Sequence, residues 1–125
     1  MIKKILTRVM LAFALSFSSL SFAGKLEQNM DTLAKNFKIF NKAENQSDAL
    51  KALDHMQAAA LDAKQLKLKN HDANAPSSDA LYGQLLAEID KTRTLVQAGQ
   101  LDQAKVAGKK IAAVKDRGHA VYNQH

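Results

Sequence analysis

The chain has 125 residues, of which 18 are basic and 12 acidic, so its formal net charge is +6 at pH 7. It contains no cysteine, which excludes a disulfide framework, a cysteine nucleophile and a thiolate metal site. With 46% hydrophobic residues and a single proline, the composition is typical of one compact domain stabilised by packing.

The first 23 residues have the layout of a bacterial secretory signal peptide. Lys3, Lys4 and Arg8 form a positive segment, an apolar stretch follows over 9–20, and 21–23 ends in small residues that a signal peptidase recognises. The alternative is an uncleaved anchor, but the apolar stretch is short for a membrane span of about 20 residues. We therefore expect cleavage after Ala23, a periplasmic location without stable membrane association, and a mature domain over 24–125.

Two amphipathic helices are predicted first along the mature chain. One runs from about Leu26 to near Asn45, and its apolar positions follow a 4-3-4-3 spacing: Leu26, Met30, Leu33, Phe37 and Phe40. Asn45 or Ser47 is a suitable N-cap for the next helix. The same spacing recurs there at Ala49, Leu53, Met56, Ala60 and Ala63.

A loop over 70–78, which contains the single proline, separates these helices from two more. Ser77 or Ser78 can cap a third helix, with apolar positions at Leu81, Tyr82, Leu85, Leu86, Ile89, Leu95 and Val96. A turn over 98–100 ends it. The fourth helix is predicted from about Leu101 to Tyr122, with Ala104, Ala107, Ile111, Val114, Gly118 and Val121 facing inward.

Four helices of similar length with short connections predict an all-α, up-down-up-down antiparallel four-helix bundle. In that order the first and last helices are antiparallel neighbours, so Met30 and His119 lie at the same end, each about 6 Å from it. A methionine sulfur and a histidine nitrogen form an axial pair for haem iron. Gly83 and Gly118, at the same end, leave room for a flat ring, although a helical core also tolerates glycine.

Each of these residues also has an ordinary structural interpretation. A methionine on a helical stripe usually packs in a core, and a histidine in a last turn often favours the helix dipole. Met56 is expected in the core, and His55, His71 and His125 are expected in solvent. The pair Met30 and His119 gains weight because both fall at one end of the bundle.

The mature chain resembles the soluble periplasmic cytochrome b562 family over essentially its whole length. The likeness is most specific over 26–33 and 56–63, and in the spacing from Gly99 to His119 and Tyr122. Departures are a shorter loop over 67–78 without paired prolines, and Gly118 in place of a tyrosine before the histidine.

This resemblance implies one non-covalent haem b with Met30 and His119 as axial ligands. It also implies that further side chains contact the cofactor: Leu33 and Phe37 pack against the ring, Tyr82 is an aromatic neighbour, and Lys115 pairs with a propionate.

No catalytic constellation is visible, so we expect an electron carrier and not an enzyme. We expect a monomer that exchanges electrons with an unidentified redox protein of acidic surface, and no nucleic-acid binding because the lysines are dispersed. Two rivals stay open: a non-haem periplasmic binding or chaperone-like module, and a haem-buffering protein.

Overall fold

The computed structural model describes residues 22–68 and 74–122, which form four α-helices. They are α1 (Phe22–Lys42), α2 (Gln46–Lys64), α3 (Ser78–Gln97) and α4 (Leu101–Tyr122). No strand occurs within these two ranges, so the predicted all-α bundle is confirmed. The predicted signal segment up to residue 21, His71 and His125 lie outside the described residues.

The helix ends follow from capping chemistry. Asn45 is the N-cap of α2, and its side-chain oxygen accepts from the Asp48 N–H at 2.8 Å. Ser77 caps α3 in the same way, accepting from the Ala80 N–H at 3.1 Å. Gly99 ends α3 with φ +80, a left-handed conformation that glycine adopts without a Cβ penalty.

The apolar stripes meet in one continuous core. All five predicted apolar positions of α2 are buried, which confirms that stripe: Ala49, Leu53, Met56, Ala60 and Ala63. Phe40 from α1, Ile89 from α3 and Ile111 from α4 are also fully buried and fill the centre. Since three of the five α2 positions are alanines, the neighbouring helices can approach α2 closely.

Consecutive helices pack along one another: α1 with α2, α2 with α3, and α3 with α4. The edge between α1 and α4 is different, because the two backbones seldom approach closely there. At mid-bundle this edge is filled by the Phe40 ring, which lies 2.9 Å from where a Cβ on Gly108 would be. Toward the end of the bundle where α1 begins and α4 ends, the α1–α4 edge opens into a cleft.

Polar contacts tie the outer surfaces together. The Gln46 side chain donates to the Val96 and Gln97 carbonyls at 3.0 and 3.2 Å, which joins the start of α2 to the end of α3. Arg93 of α3 reaches across to α2, where it pairs with Asp54 at 3.0 Å. Over 22–68 and 74–122, no helix is long and apolar enough to cross a membrane.

Candidate functional site

The α1–α4 cleft lies at the end of the bundle where α1 begins and α4 ends. Its cavity volume is about 40 Å³. Its walls therefore lie close together. Residues of α1, α3, α4 and the segment after α2 line it: Leu26, Met30, Leu33, Leu68, Ser78, Leu81, Tyr82, Leu85, Val114, Lys115, Gly118, His119 and Tyr122.

Met30 and His119 both line this cleft, one from the early turns of α1 and the other from the last turn of α4. Each is half-buried. Among the described residues, neither side chain forms a hydrogen bond or an ion pair. The Met30 sulfur and the His119 imidazole are therefore available as ligands. The juxtaposition expected from helix order is therefore present in the fold, with donor atoms of the two types that ligate haem iron.

The inner walls of the cleft are apolar. Leu33 from α1 and Leu85 from α3 are 2% and 4% exposed, and Val114 closes the α4 side. Tyr82 lies among them, and its burial raises the pKa of the phenol to about 12. These side chains give the cleft a largely apolar lining.

Lys115 carries a positive charge on the cleft wall. Its ammonium nitrogen lies 5.8 Å from the centre of the Phe37 ring, a cation–π distance. Phe37 itself is half-buried and is not among the residues that line the cleft. The structure thus brings Met30, Leu33, Tyr82, Lys115 and His119 together, while Phe37 stands outside, against Lys115.

The two glycines singled out from the sequence differ in position. Gly118 lines the cleft, and a Cβ there would meet no atom within 4 Å. Gly83 also faces open space but does not line the cleft. Gly118 therefore leaves free volume directly beside His119.

Three hydrogen bonds connect the segments around the cleft. The Tyr122 hydroxyl donates to the Pro76 carbonyl at 2.9 Å, which ties the end of α4 to the segment before α3. The Leu68 N–H donates to the Ser78 hydroxyl at 2.9 Å. Asn29, next to Met30, donates to Asp62 of α2 at 2.8 Å. These bonds restrain the segments that carry the cleft walls.

The sequence did not assign Leu68, Ser78 or Tyr122 to the cleft. It placed four other lining residues only on the apolar stripes: Leu26, Leu81, Leu85 and Val114. Tyr122 could have been found, because it follows Lys115 and His119 on one helical face at spacings of four and three. Leu68 lies beyond α2, and its position depends on Lys67, which adopts a left-handed φ of 47. No periodic pattern signals such a change of chain direction.

The structure is a four-helix bundle with a cleft between its first and last helices. Comparison with known proteins identifies the family of the chain. The family model for cytochrome b562 matches residues 25–123, and the chain belongs to the cytochrome b562 family. Membership in this family indicates a haem-binding electron carrier, a class that is not typically enzymatic.

Two relatives come from Yersinia pestis. The chain is 31% identical over 125 residues to "Probable soluble cytochrome b562 2", an alignment covering 95% of this chain and 98% of that protein. It is 27% identical over 116 residues to "Probable soluble cytochrome b562 1", covering 88% and 91% of the two chains. The family resemblance drawn from the sequence is confirmed.

The residues of the cleft fit haem b, the cofactor that the family implies. A thioether and an imidazole face the same space, and the walls are apolar. Gly118 leaves space for a ring, and Lys115 offers a cation for a carboxylate. Because the chain has no cysteine, the fit is to a cofactor held without thioether bonds to the protein.

Proposed function

We propose that this chain is a periplasmic, monomeric one-electron carrier that holds one non-covalent haem b in the α1–α4 cleft, with Met30 and His119 as axial ligands. The observation that carries the proposal is that these two uncommitted side chains line one apolar cleft. Family membership supports the cofactor. The signal-like segment over 1–23 supports the location.

Haem supplies an iron that accepts and releases a single electron. Met30 and His119 together would occupy both axial positions, which leaves no coordination site for a substrate. As a ligand, the Met30 sulfur would favour ferrous iron and would raise the reduction potential relative to two nitrogen ligands. This ligand set suits electron transfer and not oxygen chemistry.

The remaining cleft residues have distinct proposed roles. Leu33 and Tyr82 form dry walls that lower the local dielectric constant and exclude water. Lys115 is the side chain placed to pair with a propionate. Phe37 acts indirectly, because its ring contacts the Lys115 ammonium and restrains it.

Absorption spectroscopy tests the proposal. The purified full chain is titrated with haemin, and we expect a sharp Soret band together with split α and β bands on reduction. A titration in which the spectrum stays that of free haemin would contradict haem binding and favour the non-haem module.

A second measurement separates an electron carrier from a haem buffer. The loaded protein is reduced and reoxidised repeatedly by a small mediator, and free haem is assayed after each cycle. We expect fast reversible cycles without haem loss. Slow reduction accompanied by haem release would identify a buffering protein.

A further inference from the structure

A second surface feature lies on the α1–α4 edge, next to the cleft and toward the middle of the bundle. We call it the lysine groove, and it is lined by Phe37, Asn41, Lys105, Val106, Lys109 and Ala112. Of these residues, only Phe37 has a role in the haem-binding function proposed above.

The groove combines an apolar floor with positive charge. Val106 is 64% exposed, more than any other large hydrophobic side chain in the described ranges, and the half-buried Phe37 ring lies across from it. Lys105 and Lys109 flank these groups, and no carboxylate is among the lining residues. Within residues 22–68 and 74–122, neither lysine forms an ion pair.

Another groove on the molecule shows the contrast. It lies between α1 and α2, and Asp48 lines it together with Lys42 and Lys51, so its charge is mixed. Of these two grooves, the lysine groove is the one that has charge of a single sign around an exposed apolar centre. An apolar centre bordered by charge is the layout of a transient protein interface.

The groove and the cleft share a boundary. Phe37 lines the groove, Lys115 lines the cleft, and the Lys115 ammonium lies 5.8 Å from the Phe37 ring. Ala112 in the groove precedes His119 by two helical turns, about 10 Å along α4. A protein seated on the groove therefore lies beside the proposed iron ligand.

We propose that the lysine groove is the docking surface for the acidic patch of a partner redox protein, an inference that rests on the proposed electron-carrier function. Unpaired lysines attract an acidic surface over about 10 Å at moderate ionic strength, and Val106 and Phe37 supply the short-range contact. The small area suits the brief encounters of redox proteins, which bury less than about 1,200 Å².

Charge reversal in the groove tests the proposal. The haem-loaded double variant Lys105→Glu/Lys109→Glu is compared with the control Lys42→Glu/Lys51→Glu, which has the same net charge but alters the α1–α2 groove. Reduction by an acidic flavodoxin is followed by stopped flow at several ionic strengths. We expect the rate constant of the groove variant to fall about tenfold or more at low ionic strength, against a much smaller change in the control.

A basic c-type cytochrome serves as the opposite probe, and the groove variant should react with it faster than the wild type does. Methyl resonances of Val106 and Ala112 should shift when the acidic flavodoxin is added to the wild-type holoprotein. Equal effects of the two double variants, or no effect of either, would overturn the docking surface.

Two further outcomes separate the possible failures. Wild-type protein that a small neutral mediator cannot reduce would overturn the electron-carrier function and the docking surface with it. Normal mediator kinetics with an unaltered flavodoxin rate in the groove variant would overturn the docking surface alone. Groove-dependent binding to vesicles containing phosphatidylglycerol, without any effect on flavodoxin, would assign the surface to anionic lipid instead.

Discussion

Met30 and Met56 provide a matched pair of methionines at the scale of single residues. Met30 lines the cleft, whereas Met56 is 1% exposed in the core. We expect Met30→Ala to keep haem but to admit an external ligand such as imidazole. If the sulfur favours ferrous iron by tenfold, its loss lowers the potential by about 59 mV, which redox potentiometry measures.

The control for this change is Met56→Leu, which preserves volume in the core. Its visible spectrum and potential should match those of the wild type. An unaltered spectrum in Met30→Ala would mean that another side chain supplies the sixth ligand.

His119 can be compared with His55 in the same manner, since His55 is exposed on α2. We expect His119→Ala to weaken haem binding by more than the about 10–100-fold that follows loss of an outer hydrogen-bond partner of a metal ligand. Haemin titration measures the affinity, and His55→Ala should bind as the wild type does. Equal affinities of both variants would rule out coordination by His119.

Tyr82 gives the protein a pH dependence in alkaline solution. Burial raises its pKa from 10.0 to about 12, so the unfolded chain loses this proton at a lower pH than the folded chain. The contribution of protonated Tyr82 to the free energy of unfolding is fully present below pH 10 and is lost as the pH rises through about 12. Urea unfolding of the wild type and Tyr82→Phe over this range should show a steeper fall for the wild type. Parallel pH profiles would contradict a raised pKa.

At the scale of the helix, two glycines of α4 are expected to respond oppositely to alanine. A Cβ at Gly108 would lie 2.9 Å from the buried Phe40 ring, whereas one at Gly118 meets nothing within 4 Å. Gly118→Ala should therefore raise the free energy of unfolding of the haem-free protein by about 0.5–1 kcal/mol. Gly108→Ala should lower it, because overpacking costs about 1–3 kcal/mol.

Chemical denaturation of the two haem-free variants measures both values. Each variant serves as the control for the other, since both replace a glycine of α4 by alanine. A stabilised Gly108→Ala would show that the Phe40 ring moves aside at little cost.

Helix positions could be predicted largely from the sequence, because each depends on local signals. The α4 bounds and the turn at Gly99 agree with expectation, and Asn45 and Ser77 proved to be the caps among the residues considered. The prediction for α1 was less accurate, since the helix begins at Phe22 and ends at Lys42.

Contacts between helices were harder to predict. Periodicity tells which side of a helix is buried but not which atom lies opposite, so the approach of Phe40 to Gly108 was not anticipated. The Tyr122–Pro76 bond joins residues 46 apart in sequence and has no local signal. Met30 and His119 could be paired only because helix order and helix length together determine which ends meet.

At the scale of the whole molecule, haem is expected to stabilise the fold. Because the cleft is assembled from α1, α3, α4 and the segment after α2, the unfolded chain cannot offer it. At a free haem concentration of 100 times Kd, the gain in unfolding free energy is about 2.7 kcal/mol. Thermal unfolding with and without haemin measures the shift, and an unchanged midpoint at saturating haemin would contradict binding in this cleft.

The sparse α1–α4 edge has a consequence for the order of assembly. The extensive helix pairings all join neighbours along the chain, and such short-range topology is associated with fast folding. The one pairing that links the beginning of the bundle to its end is the one where we propose that the cofactor binds. The polypeptide can thus complete its own folding first and capture the porphyrin afterwards, by parting two helices that no loop connects.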